Sequence, residues 1–248
     1  MASWVELIHG IDVSDDQGNI DWASVARSGV QAAYIQLGYQ DLAGQWHRTR
    51  FGLSNGMRAL AERIRVGVYL FCMPSKAEGP DKGLSGILHD RDSIYERADI
   101  QKIAILPLAL DIEVNPHNLD VPAYLEYMVR ELETPAHNLA VYSSPGFWSA
   151  HVARTKLHVQ RIEDIGIGHA WVAAWGVPEP PILAGLPRPF CWQISSRGRV
   201  RGIDGPVDLD VWGKWETGTQ TPEAPPAQDP RIAKALPLLK EAVGILQG

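Results

Sequence analysis

Cysteine, surplus positive charge and long apolar runs are all scarce in this chain. Its 248 residues hold two cysteines, Cys72 and Cys191. They lie far apart, beside apolar neighbours such as Phe71 and Trp192, in no C-x-x-C or zinc-ligand spacing, so two buried free thiols are predicted rather than a disulfide framework. Lys and Arg number 23 against 29 Asp and Glu, a formal net charge of −6. A dedicated nucleic-acid binder would carry a basic face, so no nucleic-acid partner is expected. No stretch approaches the roughly 18 uninterrupted apolar residues of a membrane span. The opening Met1-Ala-Ser-Trp-Val-Glu6 lacks a charged region followed by an apolar core, so the expectation is a chain made in the cytoplasm without a secretory signal.

Several chemical signatures are missing as well. Gly10-Ile-Asp12 runs on into Ser14-Asp-Asp rather than G-x-G-x-x-G, which counts against a dinucleotide site. Ser143-Ser144 sits in no G-x-S-x-G elbow, and no Ser-His-Asp order stands out. His89, His117, His137, His151, His158 and His169 lack the helical spacing of metal ligands, and His9 reads as a packing residue. No metal or other cofactor is expected.

What is present is a β-α rhythm. With 45% hydrophobic residues the chain can bury a full core. Short apolar strand patterns fall at Leu7–Val13, Ala32–Leu37, Val66–Phe71, Leu106–Glu113, Leu139–Tyr142, Ala170–Trp175, Phe190–Ile194 and Val207–Val211. Helical patterns separate the earlier ones and thin out after a helix that starts at Pro145. About eight strands joined in this way predict an α/β fold, a single (β/α)-type barrel, with a doubly wound open sheet as the runner-up. From Thr217 a Pro-rich polar linker (217–229) follows. Asp229-Pro230 then offers a helix cap, and Ile232, Leu236, Leu239, Val243 and Leu246 give a heptad-like seam interrupted by Pro237. This predicts a short amphipathic helical tail over 230–248. It would dock on the barrel, or carry self-association or protein docking.

The chemistry concentrates in Leu108-Ala-Leu-Asp111-Ile-Glu113. Alternation along a strand puts Asp111 and Glu113 on one side, with Cα atoms roughly 6.5–7 Å apart at about 3.3 Å rise per residue. Two acids on a rigid strand end could divide acid, base and charge-stabilising roles in glycoside hydrolysis. The alternative is a pair of solvated acids where strand gives way to loop. Asp12 and Asp208 tip that balance, because in a barrel the strand C-terminal ends share one rim. The same four acids could instead serve as hard oxygen ligands of a metal-dependent hydrolase.

Taken together, the motifs resemble a glycoside hydrolase family 25 lysozyme (N-acetylmuramidase) of the phage endolysin kind. The resemblance covers about residues 8–213. It rests on Gly10-Ile-Asp12-Val-Ser14 with Gln17-Gly18 and Ile20-Asp21-Trp22, and on the Asp111-Ile-Glu113 strand. It continues through Val141-Tyr142-Ser-Ser-Pro-Gly-Phe-Trp148, Trp171-Val-Ala-Ala-Trp175, Trp192-Gln193-Ile-Ser-Ser and Val207-Asp208-Leu-Asp210. It implies a flattened eight-stranded barrel with an incomplete helix ring over residues 1–216. It also implies cleavage of the β-1,4 bond between N-acetylmuramic acid and N-acetylglucosamine in bacterial peptidoglycan. Glu113 matches the family's general acid, Asp111 its partner carboxylate, and Asp12 and Asp208 the flanking acids.

A general acid surrounded by carboxylates should hold its proton near neutral pH while its neighbours stay charged. Asp111, beside Glu113 rather than across the sugar, suits orientation of the substrate's own N-acetyl group. Tyr69, Tyr142, Trp175 and Trp192 are candidate sugar platforms, and Gln193 a hydrogen-bonding partner for a sugar or a catalytic carboxylate. Trp4, Trp46, Trp212 and Trp215 read as packing or surface residues. The chain departs from the family at Gln36-Leu-Gly-Tyr39-Gln40, at Asp16 and at Tyr69-Leu70-Phe71, positions that bear on the outer subsites. A non-catalytic wall-glycan or virion protein using the same cleft is the alternative; the four mutually repelling acids count against it.

Overall fold

In the computed structural model, residues 2–74 and 83–217 are described. Beyond residue 217, the expected linker and the 230–248 helical tail lie outside the described residues. Strands β1 (Ala2–Val13), β2 (Ala32–Gln40), β3 (Trp46–Arg48), β4 (Arg65–Phe71) and β5 (Leu108–Asp111) come first. They are followed by β6 (Leu139–Ser143), β7 (His169–Ala173), β8 (Cys191–Gly198) and β9 (Val207–Thr217). All nine belong to one sheet in the order β1-β9-β8-β7-β6-β5-β4-β2-β3, and a further β1–β2 pairing closes eight of them into a barrel. Strand β3 hangs on the outside of the closure as the second arm of a hairpin with β2.

The barrel is not uniformly parallel. Pairings from β1–β2 through β7–β8 are parallel, but β9 runs antiparallel to both β8 and β1. The β-α alternation that sets the other strands parallel ends at this point. No helix lies between β7 and β9 to carry the chain back across the barrel, so β8 returns directly into β9 by a short turn.

Helices α1 (Trp22–Arg27), α2 (Gly52–Ala61), α3 (Leu84–Gln101), α4 (Val121–Glu131), α5 (Pro145–Phe147) and α6 (Lys156–Ile165) fill the earlier connections. Their ends carry ordinary capping chemistry. Asp21 and Asp120 each accept a backbone N–H three residues on, at 3.2 Å, which satisfies an otherwise orphaned donor. Helix α6 is capped by Thr155, whose side chain accepts His158 N–H, and ends at left-handed Gly166. Its sequence is largely polar, with one fully buried residue, Ile162, so the apolar periodicity passes over it. Among the described residues no helix follows α6, which leaves the β7–β9 arc without helical cover, and none is long and apolar enough to cross a membrane.

Strand alternation divides the side chains into two cores. Outward residues such as Ile11, Val13, Ile35, Val66, Val68 and Leu110 pack against the helices in one large aliphatic core. Inward residues form a smaller, aromatic core around Tyr34, Tyr69, Tyr142, Trp171 and Trp212, with Cys191 among them. Trp171 stacks on Tyr34 at 4.4 Å and meets Tyr142 at 4.4 Å. Two glycines make room for these rings. A Cβ at Gly10 would lie 2.4 Å from the Trp212 ring, and one at Gly67 2.4 Å from the Tyr34 ring. Cys72 and Cys191 are both buried and free.

Candidate active site

The aromatic layer plugs the barrel, and a cleft of about 970 Å³ lies above it at the rim. Asp12 is the penultimate residue of β1 and Asp111 the last of β5, so both arrive on parallel strand ends. Asp208 arrives differently. It is the second residue of β9, and it reaches the same rim because β9 is antiparallel, which sets Asp208 directly opposite Asp12. The expectation that Asp208 ends its strand is therefore corrected, although the rim it occupies is the expected one. Asp12, Asp111, Glu113 and Asp208 all line the cleft, with Tyr69, Tyr142 and Gln193.

Backbone bonds fix the D-x-E. Cys72 N–H donates to Asp111 O at 2.8 Å, and Ile112 N–H to Tyr142 O at 2.9 Å. The Ser143 hydroxyl donates to Ile112 O at 2.7 Å. Ile112 is fully buried on the aliphatic side, Asp111 is buried at 6% exposure, and Glu113 stands exposed at the cleft mouth. Asp111 and Glu113 therefore share a side, but one is sunk in the floor and the other projects from the wall. Asp111 Oδ1 is buried and has no hydrogen-bond partner among the described residues.

Burial is the first cause of the shifts of Asp12, Asp111, Glu113 and Asp208. It pushes Glu113 above its ordinary range, with the nearby Asp208 charge adding to it. Asp111 is driven well up by burial, then by Glu113 and Asp208. Asp12 is driven well up by burial, then by Asp210 and Asp208. Asp208 is raised by burial, against a hydrogen bond from Asp12. Low-dielectric surroundings disfavour the charged form of each of these acids, not of Glu113 alone.

Tyr142 and Gln193 belong to one polar chain. The Tyr142 hydroxyl donates to Gln193 Oε1 at 3.1 Å, and Gln193 Nε2 donates to Asp12 Oδ2 at 3.0 Å. Trp192 and Trp175 do not join it. Trp192 is adjacent to Gln193 on β8 and so faces the other way; its indole N–H donates to Ala174 O at 2.6 Å. Trp175, 57% exposed just after β7, is not on the cleft wall. The two-residue period of a strand would have ruled out Trp192 once Gln193 was placed in the site.

Sequence reasoning missed two parts of the site. One is the pair of Trp171, in the cleft floor, and Asp210 beneath it, whose indole N–H and carboxylate meet at 2.8 Å. The inward step from Asp208 to Asp210 was the available signal. The other is the β2–β3 hairpin, which brings Tyr39, Asp41 and Leu42 to one end of the cleft. Asp41 shapes that turn by accepting from Ala43 N and Gln45 N, both at 2.9 Å, and from His47 Nε2 at 2.8 Å. Of the stretches that depart from the family pattern, Asp16, Gln36, Tyr39 and Gln40 line the cleft, whereas Leu37 and Leu70 are buried in the aliphatic core. As for a metal, among the described residues no three His, Cys, Asp or Glu side chains converge as ligands would.

Known proteins place this geometry. The family model for glycosyl hydrolases family 25 matches residues 11–203, and the chain belongs to that family. Lysozyme M1 of Streptomyces globisporus is 28% identical over 214 residues, covering 81% of this chain and 66% of that protein. The autolytic lysozyme of Clostridium acetobutylicum is 25% identical over 213 residues, covering 83% of this chain and 56% of its own length. The chain thus spans from just over half to about two thirds of the length of these relatives. The crystal structure of the bacterial lysozyme from Streptomyces coelicolor shares the fold with a TM-score of 0.60 at 23% identity, over 95% of this chain and 98% of that one.

Proposed function

We propose that this chain is a peptidoglycan hydrolase that cleaves the β-1,4 bond between N-acetylmuramic acid and N-acetylglucosamine. Glu113, exposed to the cleft and raised in pKa, protonates the leaving oxygen. Asp111 beside it accepts the N–H of the substrate's own acetamido group and turns that group's carbonyl oxygen onto the anomeric carbon. One observation carries this reading: Asp111 Oδ1 is buried in the floor of the cleft with no partner among the described residues, beside the exposed Glu113. A buried acceptor left unsatisfied costs about 1–3 kcal/mol, and a substrate N–H would recover that energy only on binding.

Asp208 supplies the remaining negative potential for an oxocarbenium-like transition state, with Asp12 opposite it on the cleft wall. Tyr69 and Tyr142 offer ring faces on the cleft wall for the apolar side of a pyranose. The setting we propose is phage-type lysis of a bacterial wall, supported by the resemblance of the motif set to phage endolysins.

The test is to incubate purified walls with the protein and to weigh the released muropeptides. Products ending in reducing N-acetylmuramic acid, formed with retention at the anomeric carbon, are expected. Net inversion would sink the acetamido route, and intact glycan strands would sink the hydrolase reading itself.

A further inference from the structure

Asp12 on the cleft wall and Asp210 beneath it lie on neighbouring strands, with no cation facing them among the described residues. Asp210 is one inward step below Asp208 on β9, in register with Gly10, and Asp12 is the next inward residue of β1. Both are buried, Asp210 at 1% exposure and Asp12 at 6%. Asp210 Oδ1 accepts the Trp171 indole N–H at 2.8 Å, and the Cys191 thiol lies 3.8 Å from the same oxygen. Asp210 Oδ2 is buried and has no donor among the described residues. The carboxyl that faces Asp210 from β1 is that of Asp12, one inward step along the ladder, and its Oδ2 is held by Gln193 Nε2 at 3.0 Å.

The titratable groups facing this pair are acidic or neutral throughout. They are Asp208 on β9, Tyr34 on β2, Tyr69 on β4, Tyr142 on β6 and Cys191 on β8. Two carboxylates in contact and out of water cannot both ionise, and they titrate as a unit. We propose that Asp210 is a positioning residue that acts through Asp12. The two carboxyls hold one proton between them, so Asp12 meets the cleft as a neutral hydrogen-bonding group. The negative charge of the pair then sits a layer below the reacting atoms, in the Trp171 hydrogen bond.

The asymmetry of the two environments agrees with this placement. Burial drives Asp12 well above the carboxylate range, whereas Asp210 reaches about 7, held down by hydrogen bonds from Asp12 and Trp171. The consequence for catalysis rests on the hydrolase reading; the shared proton does not. With Asp12 neutral, Asp208 is the charge left at the rim between β1 and β9, and Glu113 is spared a further repelling neighbour.

Asp210→Asn tests the idea with little change of shape. The introduced amide oxygen keeps the Trp171 bond, and its NH₂ donates to Asp12, which then ionises and brings the charge up to the cleft. The alkaline limb of kcat should move up by about half a pH unit, because a nearer charge raises the pKa of the general acid. KM should change by less than about threefold, since no cleft-lining group is removed. A residue that merely fills space would lower kcat without moving that limb.

Carboxyl carbon NMR of the wild-type protein, labelled at aspartate, supplies a readout independent of activity and of the variant's folding. Asp12 and Asp210 should titrate as a coupled pair above the ordinary aspartate range. Two resonances titrating independently within that range would overturn the proposal, whatever the kinetics. If the wild type releases no sugar ends at all, the hydrolase reading fails and the titration still decides the pair.

Discussion

The two arcs of the barrel deliver their carboxyls by opposite means. In the parallel arc, β1 and β5 each bring an acid to the rim as their last inward residue, and the chain then leaves as a loop. In the antiparallel arc, β9 starts at the rim and runs down into the barrel. It therefore contributes in depth: Asp208 at the rim, Asp210 beneath it, Trp212 below that. Parallel strand ends make a ring of groups at one level, whereas a strand entering from the rim makes a column. The site has both, so its acids differ in burial and hence in proton affinity.

The largest effect that would sharpen this contrast belongs to the parallel arc. Glu113→Gln should lower the release of reducing ends from purified walls by roughly 10³-fold, within the 10²–10⁴ range for loss of a general acid, with the melting temperature unchanged. Equal clearing by wild type and variant would break the assignment. Asp111→Asn should follow at about 10²-fold, on the scale of losing one preorganised electrostatic group. In the antiparallel arc, Asp208→Asn should cost about tenfold, because its half-buried carboxylate is partly hydrated and its field weaker at the reacting centre. A loss at Asp208 as large as at Glu113 would erase the distinction between the arcs.

Stability should depend on pH with a sign set by the same burial. Asp12, Asp111 and Asp210 have raised pKa values. Their contribution is whole below the ordinary carboxylate pKa and is lost as pH climbs through the raised values, which for Asp210 means through about 7. Asp21, Asp41 and Asp120 are lowered, the first two chiefly by hydrogen bonds to Ser24 and His47 and Asp120 by its bond with Arg161. Their contribution is present above the ordinary value and lost as pH falls. Calorimetry should therefore find the melting temperature highest near about pH 5, declining toward pH 8. A steady rise to pH 8 would contradict the burial of the acids. The smallest effect is expected at Trp175, outside the cleft wall, where Trp175→Ala should change kcat/KM by less than about twofold.

The parallel arc was also the legible one. Period-two apolar runs, capped helices and the D-x-E are local signals, and they located Asp12, Asp111 and Glu113 to the correct strand ends. The direction of β9 is not local. It depends on which strands it pairs with some two hundred residues away, and nothing within Val207–Val211 carries that information. Asp210 was passed over for the same reason, since its meaning comes from Trp171 and Asp12 rather than from its neighbours. Trp192 shows the reverse failure, a residue type favoured over its strand parity. The β2–β3 hairpin is too short and polar to register as a strand, yet it supplies one end of the cleft.

The long pairing of β1 with β9, from Ala2 opposite Thr217 to Asp12 opposite Asp208, bears on how the protein is born. A ribosome emits Asp12 well before Asp208, with the rest of the barrel between them. Until then β1 and β8 are open edges and the rim lacks one wall, and such long-range closure is slow. The acids are therefore apart throughout synthesis, and a chain cut short before Val207 would carry the D-x-E without the partners that give it its charge environment.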